Sequence, residues 1–249
     1  MKRWLVVLGI VAVVLALLAA GNRWAQARAT RKMNDTLQRA VAPVLANPQN
    51  LKLENTDVRL TRDGMTIPKI EITGSDLELK NSPVNIESTR VEINDVEITG
   101  TGKERKVTHV GESRYEVTLS ATDMTSFLRT QPAMDFGDLR VEAETVTLTL
   151  SQQHGVTIAG EGTHLTLNQR GEFKVNGVLA LENGRITFLP RELIADGQSF
   201  SNEAARTYPT PIEKALPPAL QGEVTEILVE DNRVTFKGRF DGTALLRKR

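Results

Sequence analysis

The sequence predicts a mainly β, α+β protein: a curved antiparallel sheet with few helices, elongated, and preceded by one N-terminal transmembrane helix. Three observations predict it. An unbroken apolar run opens the chain from Trp4 to Ala20. The hydrophobic period changes from helical to two near Leu51. Turn signals then recur between short alternating segments to the end.

The first run follows Lys2 and Arg3 and is about 17 residues long, the short end of what spans a hydrocarbon core of roughly 30 Å. It exceeds the usual signal-peptide core of about 7–15 residues. The small-x-small candidate Ala25-Gln26-Ala27 lies beyond the polar Gly21-Asn22-Arg23. An uncleaved signal anchor is therefore preferred over a cleaved signal, and either one exports the remainder of the chain. Residues 1–40 carry Lys2, Arg3, Arg23, Arg28, Arg31, Lys32 and Arg39 against Asp35 alone, although the whole chain balances 31 basic against 31 acidic residues. The body is thus slightly acidic, which disfavours nucleic acid as a partner. There is no cysteine, so disulfides, thiolate catalysis and a lipoprotein anchor are excluded.

After the anchor, Met33, Leu37, Val41, Val44 and Leu45 recur at helical spacing, and an amphipathic helix is expected to stop near Asn47-Pro48. Arg28, Arg31, Lys32 and Arg39 on this membrane-proximal stretch are placed to meet anionic headgroups. From Leu51 the pairs Leu51/Leu53, Val58/Leu60, Ile70/Ile72, Leu77/Leu79, Val91/Ile93 and Val96/Ile98 alternate with polar residues, the pattern of half-buried strands. Turns are expected at Arg62-Asp63-Gly64, Thr73-Gly74-Ser75, Gln169-Arg170-Gly171, Glu182-Asn183-Gly184 and Glu230-Asp231-Asn232. Phase slips at Asn94-Asp95 and Glu144-Thr145 predict bulges or bends. Two short helices interrupt the strands. One runs from Thr122 to Arg129 with Thr122 as N-cap, and the other from Pro211 to Leu216, halted before Pro217. Val224, Ile227, Val229, Val234 and Phe236 form a closing hairpin.

Motif chemistry is sparse. Gly197-Gln198-Ser199-Phe200-Ser201 lacks the second glycine of a nucleophile elbow, and no phosphate-binding glycine loop occurs. His109, His154 and His164, two of them flanking a supposed turn at Glu161, are the only imaginable metal set, and no metal is assigned to them. No catalytic residue and no cofactor are assigned, and the chain is read as a non-enzyme.

Four segments resemble the LmeA-like phospholipid-binding family of bacterial cell-envelope proteins. They are Asp57-Val58-Arg59-Leu60-Thr61-Arg62-Asp63-Gly64; Val117-Thr118-Leu119-Ser120-Ala121-Thr122-Asp123 leading to Phe127-Leu128; Gly184-Arg185-Ile186-Thr187-Phe188-Leu189-Pro190; and Leu216-Pro217 followed by Val229 to Gly238. The resemblance implies phospholipid binding in the envelope by an elongated module with a concave apolar face. The aromatic fraction of 4% with abundant Val, Ile and Leu suits aliphatic walls for an acyl chain. Where helices meet strands, Met124, Phe127, Leu128, Ile186, Phe188 and Leu216 are the expected lining. The organisation expected is 1–21 anchor or signal, 22–47 amphipathic helix and 48–249 one β-rich extracytoplasmic lipid-binding domain. A non-catalytic envelope scaffold is the alternative.

Overall fold

The computed structural model describes residues 45–54, 59–61, 63–80, 82–100, 106–130, 133–136, 139–153, 155–164, 168–182, 185–200 and 223–241, together with Asp35, Gln38, Arg39, Ala42 and Pro43. The Trp4–Ala20 run and the expected Pro211–Leu216 helix lie outside the described residues, as does most of the amphipathic stretch. Among the described residues no helix is long and apolar enough to cross a membrane. They form two antiparallel sheets and one α-helix, so the mainly β expectation holds.

The first sheet orders its strands β1 (Leu51–Glu54), β3 (Gly64–Glu78), β4 (Asn85–Thr99), β6 (Glu112–Ser120), β15 (Arg233–Asp241) and β14 (Glu223–Glu230). Strand β2 (Arg59–Thr61) pairs with β3, and β5 (Lys106–His109) pairs with β4. The second sheet orders β13 (Gln198–Phe200), β12 (Arg185–Ala195), β11 (Gln169–Glu182), β10 (Gly155–His164), β8 (Leu139–Val141) and β7 (Met134–Phe136), with β9 (Thr147–Ser151) on β10. Helix α1 is Ala121–Leu128. The described residues cluster into two compact units: those within Met1–Asn81, Asn85–Val117 and Lys237–Arg249, and those within Ser82–Val84 and Thr118–Phe236.

In the first unit β3 and β4 form one hairpin of 15-residue strands. Its core face changes phase without losing register. Met65 and Ile67 face the core beside Val96 and Ile98, and beyond Pro68 the core residues become Ile70 and Ile72 beside Val91 and Ile93. Ile67 pairs with Val96 and Lys69 with Asn94, so Pro68 and Asp95 are extra residues at the same rung of both strands. Pro68 has no N–H to lose, and Asp95 takes a left-handed φ of 50°. The slip expected at Asn94-Asp95 is therefore real, and it is matched across the hairpin. Asp76, with φ of 49°, shifts the phase again so that Leu77 turns inward.

Two expected turns are instead strand. Thr73-Gly74-Ser75 lies inside β3, where Gly74 pairs with both Leu51 and Thr89. A Cβ there would stand 2.9 Å from the Leu51 and Leu77 side chains, so this glycine makes room for packing. Gln169-Arg170-Gly171 opens β11, paired with Gly162–His164, and Asn168 with its φ of 50° occupies the turn before it. The expected turns at Asp63 and at Asp231-Asn232 do separate paired strands, and Glu182 pairs with Arg185, with Asn183-Gly184 outside the described residues. The Glu144-Thr145 slip is a 3-10 turn, Ala143–Thr145, that swaps the buried set from Leu139 and Val141 to Val146, Leu148 and Leu150.

The outer face of the long hairpin is charged. Glu71 and Glu92 stand directly opposite each other, an unfavourable pair on its own. Lys69 Nζ donates to Glu92 at 2.9 Å and lies 3.4 Å from Glu71, while Arg90 reaches Glu71 at 2.6 Å and Glu92 at 3.0 Å. The Lys69 hydrogen bond holds the Glu92 carboxyl below the usual glutamate range. In the same unit the Tyr115 ring lies on Gly238, where a Cβ would overlap the ring and its hydroxyl. The Tyr115 hydroxyl is buried without a partner, and burial pushes it up to about 12.

Candidate functional site

The second unit packs one face of β8–β12 under α1 and β14. Cross-strand pairing fixes which residues share that face. Leu148 and Leu150 pair with Ile158 and Val156, which pair in turn with Val175 and Gly177. Beyond them Leu179 pairs with Phe188 and Leu181 with Ile186. Gly177 is required here, because a Cβ would stand 2.5 Å from Leu189 O and 2.6 Å from the Phe188 ring.

Helix α1 seals the outer edge of β9. Its N-cap is Ser120 rather than Thr122: the Ser120 hydroxyl accepts from Asp123 N–H, and Thr122 is exposed one residue into the helix. Starting at Ala121 points Met124, Thr125 and Leu128 inward. Leu148 N–H donates to Thr125 Oγ1 at 2.9 Å, and that hydroxyl donates to Leu148 C=O at 3.3 Å. Arg129 Nε donates to Val146 C=O at 2.8 Å. Asn232 N–H, in the β14–β15 turn, donates to Leu150 C=O at 3.1 Å, and Gln152 N–H donates to Asp231 Oδ1 at 3.1 Å. An edge that would otherwise recruit another strand is thereby closed along its length.

The expected lining divides accordingly. Met124, Leu128, Ile186 and Phe188 are all buried, Phe188 at 0% exposure, and Phe127 is half-buried. Helix α1 packs on β9, whereas Ile186 and Phe188 lie on β12, three strand spacings or roughly 14 Å across the sheet. The structure thus places the α1 pair and the β12 pair at two sides of one closed core. Leu216 lies outside the described residues, as do Arg28, Arg31 and Lys32. Arg39 is described, with helical backbone and an exposed side chain.

The accessible aliphatic surface is one that alternation does not pick out. Val178-Leu179-Ala180-Leu181 are all half-buried, as are Leu189, Leu193 and Ile194. On the core face Leu179 and Leu181 continue the row of Phe188 and Ile186, and on the other face Val178 pairs with Leu189 and Ala180 with Thr187. The end of the β11–β12 hairpin is therefore apolar on both faces. Strand β14 packs beside β11 and β12, with Ile227 and Val229 half-buried and Leu228, at 40%, the exposed large apolar residue among those described. The outer face becomes polar at the bulge where Arg191 of β12 is left unpaired opposite Asn176 and Gly177. There Thr157 donates to Asn176 at 2.8 Å, and Asn176 and Ser199 donate to Glu192 at 2.8 and 2.9 Å. Those two donors, Asn176 first, hold the Glu192 carboxyl below its usual range.

No reactive constellation adjoins this surface among the described residues. Glu161 lies within β10 and not in a turn, and Arg170 reaches it at 2.7 Å and Glu142 at 2.8 Å. No group of three or more His, Asp or Glu among the described residues could hold a metal ion. Comparison with family models, with curated proteins and with solved structures finds no match to this chain.

Proposed function

We propose that this chain is a membrane-anchored protein of the cell envelope that binds phospholipid through its acyl chains, in lipid transfer or envelope maintenance. The observation that carries the reading is the two-faced aliphatic end of the β11–β12 hairpin, where Leu179 and Leu181 extend the closed core into half-exposed surface. A folded chain gains by covering such a surface, and a flexible hydrocarbon fits aliphatic walls without needing aromatic platforms. Six acyl methylenes laid there would contribute about 5 kcal/mol before ordering costs. The apolar run Trp4–Ala20 supports the anchor and the extracytoplasmic placement, and Arg28, Arg31, Lys32 and Arg39 supply cations at headgroup level. The resemblance to the LmeA-like family points the same way.

Lipid extraction of the purified full-length protein followed by mass spectrometry tests the reading. Bound phospholipid near one per chain is expected, and replacing Leu179 or Leu181 with Asp should abolish it while the sheet stays folded. A folded L181D variant that keeps its lipid would remove the hairpin from the site. A wild-type protein free of phospholipid would favour the non-catalytic scaffold instead.

A further inference from the structure

The stretch before β1 is not the helix end expected near Asn47-Pro48: Leu45 bridges Leu79, and Pro43, Asn47, Pro48 and Asn50 lie close together in the sequence. In the structure it is tied at six points to the far end of β3. The receptor is the Asp76 irregularity. With φ of 49° and no partner across the β4 register, Asp76 offers its carbonyl to the chain outside the hairpin. Asn47 Nδ2 donates to that carbonyl at 2.6 Å, and Asn50 Nδ2 donates to it at 3.3 Å. Asn47 Oδ1 in turn accepts Glu78 N–H at 3.0 Å, so one amide side chain bridges two backbone groups of β3. Ala46 N–H donates to Glu78 C=O at 2.9 Å beside a Leu45–Leu79 bridge, and Lys80 Nζ donates to Ala42 C=O at 2.6 Å. Leu45 is 2% exposed, so its side chain is part of the core and not of a tether.

We propose that residues 45–50 form a rigid neck, stapled by Asn47 and seated by Leu45, that fixes where the preceding segment enters the first unit instead of letting that unit swing on a linker. Its biological meaning rests on the anchor reading above, whereas its geometry does not. A swinging linker loses nothing when one residue changes. A stapled neck loosens when its staple is cut, because the Asn47 amide satisfies both the Asp76 carbonyl and the Glu78 N–H. Asn47 also needs both ends of its amide, so Asp at this position keeps the acceptor and loses the donor to Asp76.

Hydrogen exchange on the full-length protein in detergent micelles reads this directly, through peptides covering 42–50 and 76–80. In the wild type the Ala46 and Glu78 amides are expected to be as protected as the paired amides of β4. Asn47→Ala should speed exchange in both peptides about tenfold while peptides of β4 are unchanged. Asn50→Ala, which removes only the longer bond, should give a smaller effect in the same direction, and it serves if Asn47→Ala loosens the whole unit. The chain has no cysteine, so spin labels at Arg39→Cys and Ser88→Cys report the neck without background. Their distance distribution should be narrow in the parent and broaden when Asn47→Ala is added. Unprotected 42–50 amides in the wild type, or a distribution equally broad with and without Asn47, would overturn the rigid neck. N-terminal sequencing separates this from the anchor: a mature chain beginning beyond Ala27 removes the anchor and leaves the exchange result standing.

Discussion

Replacing Thr125 with Val tests the closure of β9 at nearly constant side-chain volume. The hydroxyl is buried and serves two backbone groups of Leu148, accepting from its N–H at 2.9 Å and donating to its C=O at 3.3 Å. Valine fits the same space, so no cavity enters the balance, and both Leu148 groups are left without partners in the interior. Each buried, unsatisfied backbone group costs about 1–3 kcal/mol, and the longer bond belongs at the low end, which gives a loss of about 2–4 kcal/mol for the pair. For a chain of this size that lowers Tm by roughly 4–16 °C. Urea unfolding followed by far-UV circular dichroism should show the midpoint falling with little change in slope. A shift below about 0.5 kcal/mol would mean that α1 does not hold the β9 edge through Thr125.

Other expectations follow from single contacts. Gly177→Ala should destabilise by about 3 kcal/mol, because its Cβ meets Leu189 O at 2.5 Å and cannot displace backbone. Gly197→Ala has nothing within 4 Å and should cost only about 1 kcal/mol for its φ of 77°; equal losses in thermal melts would contradict the packing argument. Glu92 has a depressed folded pKa, so its stabilisation is present above the ordinary value of 4.5 and fades as pH falls below it. Glu92→Gln should therefore flatten the acid side of the stability curve, and because the same hydrogen bond raises the Lys69 ammonium it should also lessen the loss above pH 10.5. The Tyr115 hydroxyl is raised to about 12, so its contribution is complete below its ordinary value of 10.0 and is lost as pH climbs toward 12. Tyr115→Phe should remove that alkaline loss without weakening the protein at neutral pH, since the hydroxyl has no partner to lose.

Much of the fold was legible because alternation records one-sided burial. Leu51/Leu53, Ile70/Ile72, Val91/Ile93 and Val96/Ile98 all sit in strands with their apolar residues inward. Glycine-based turn reading worked where the strands end and failed at Gly74 and Gly171. Those glycines exist to admit neighbouring side chains, Leu51 and Leu77 in one case and Asp196 in the other. The helix start was displaced from Thr122 to Ser120 because either hydroxyl suits an N-cap, and only the end of β6 decides which has extended backbone. The site was less legible. Phe188 and Met124 stand where helices and strands meet in the sequence, and the structure buries both, Phe188 opposite Leu179 on β11 and Met124 on the inner face of α1. The informative signal was the unbroken run Val178–Leu181, since a strand apolar on both faces has one face more than a two-layer core needs. The Asn47 staple left no mark in sequence, because its partner is a carbonyl exposed by the backbone turn at Asp76.

The lipid content of the full-length protein, extracted and quantified by mass spectrometry alongside its L181D variant, tests acyl-chain binding at the β11–β12 hairpin. Phospholipid near one per wild-type chain is expected, and none above the detergent background in the folded variant. Equal lipid in both, or none in either, would contradict it.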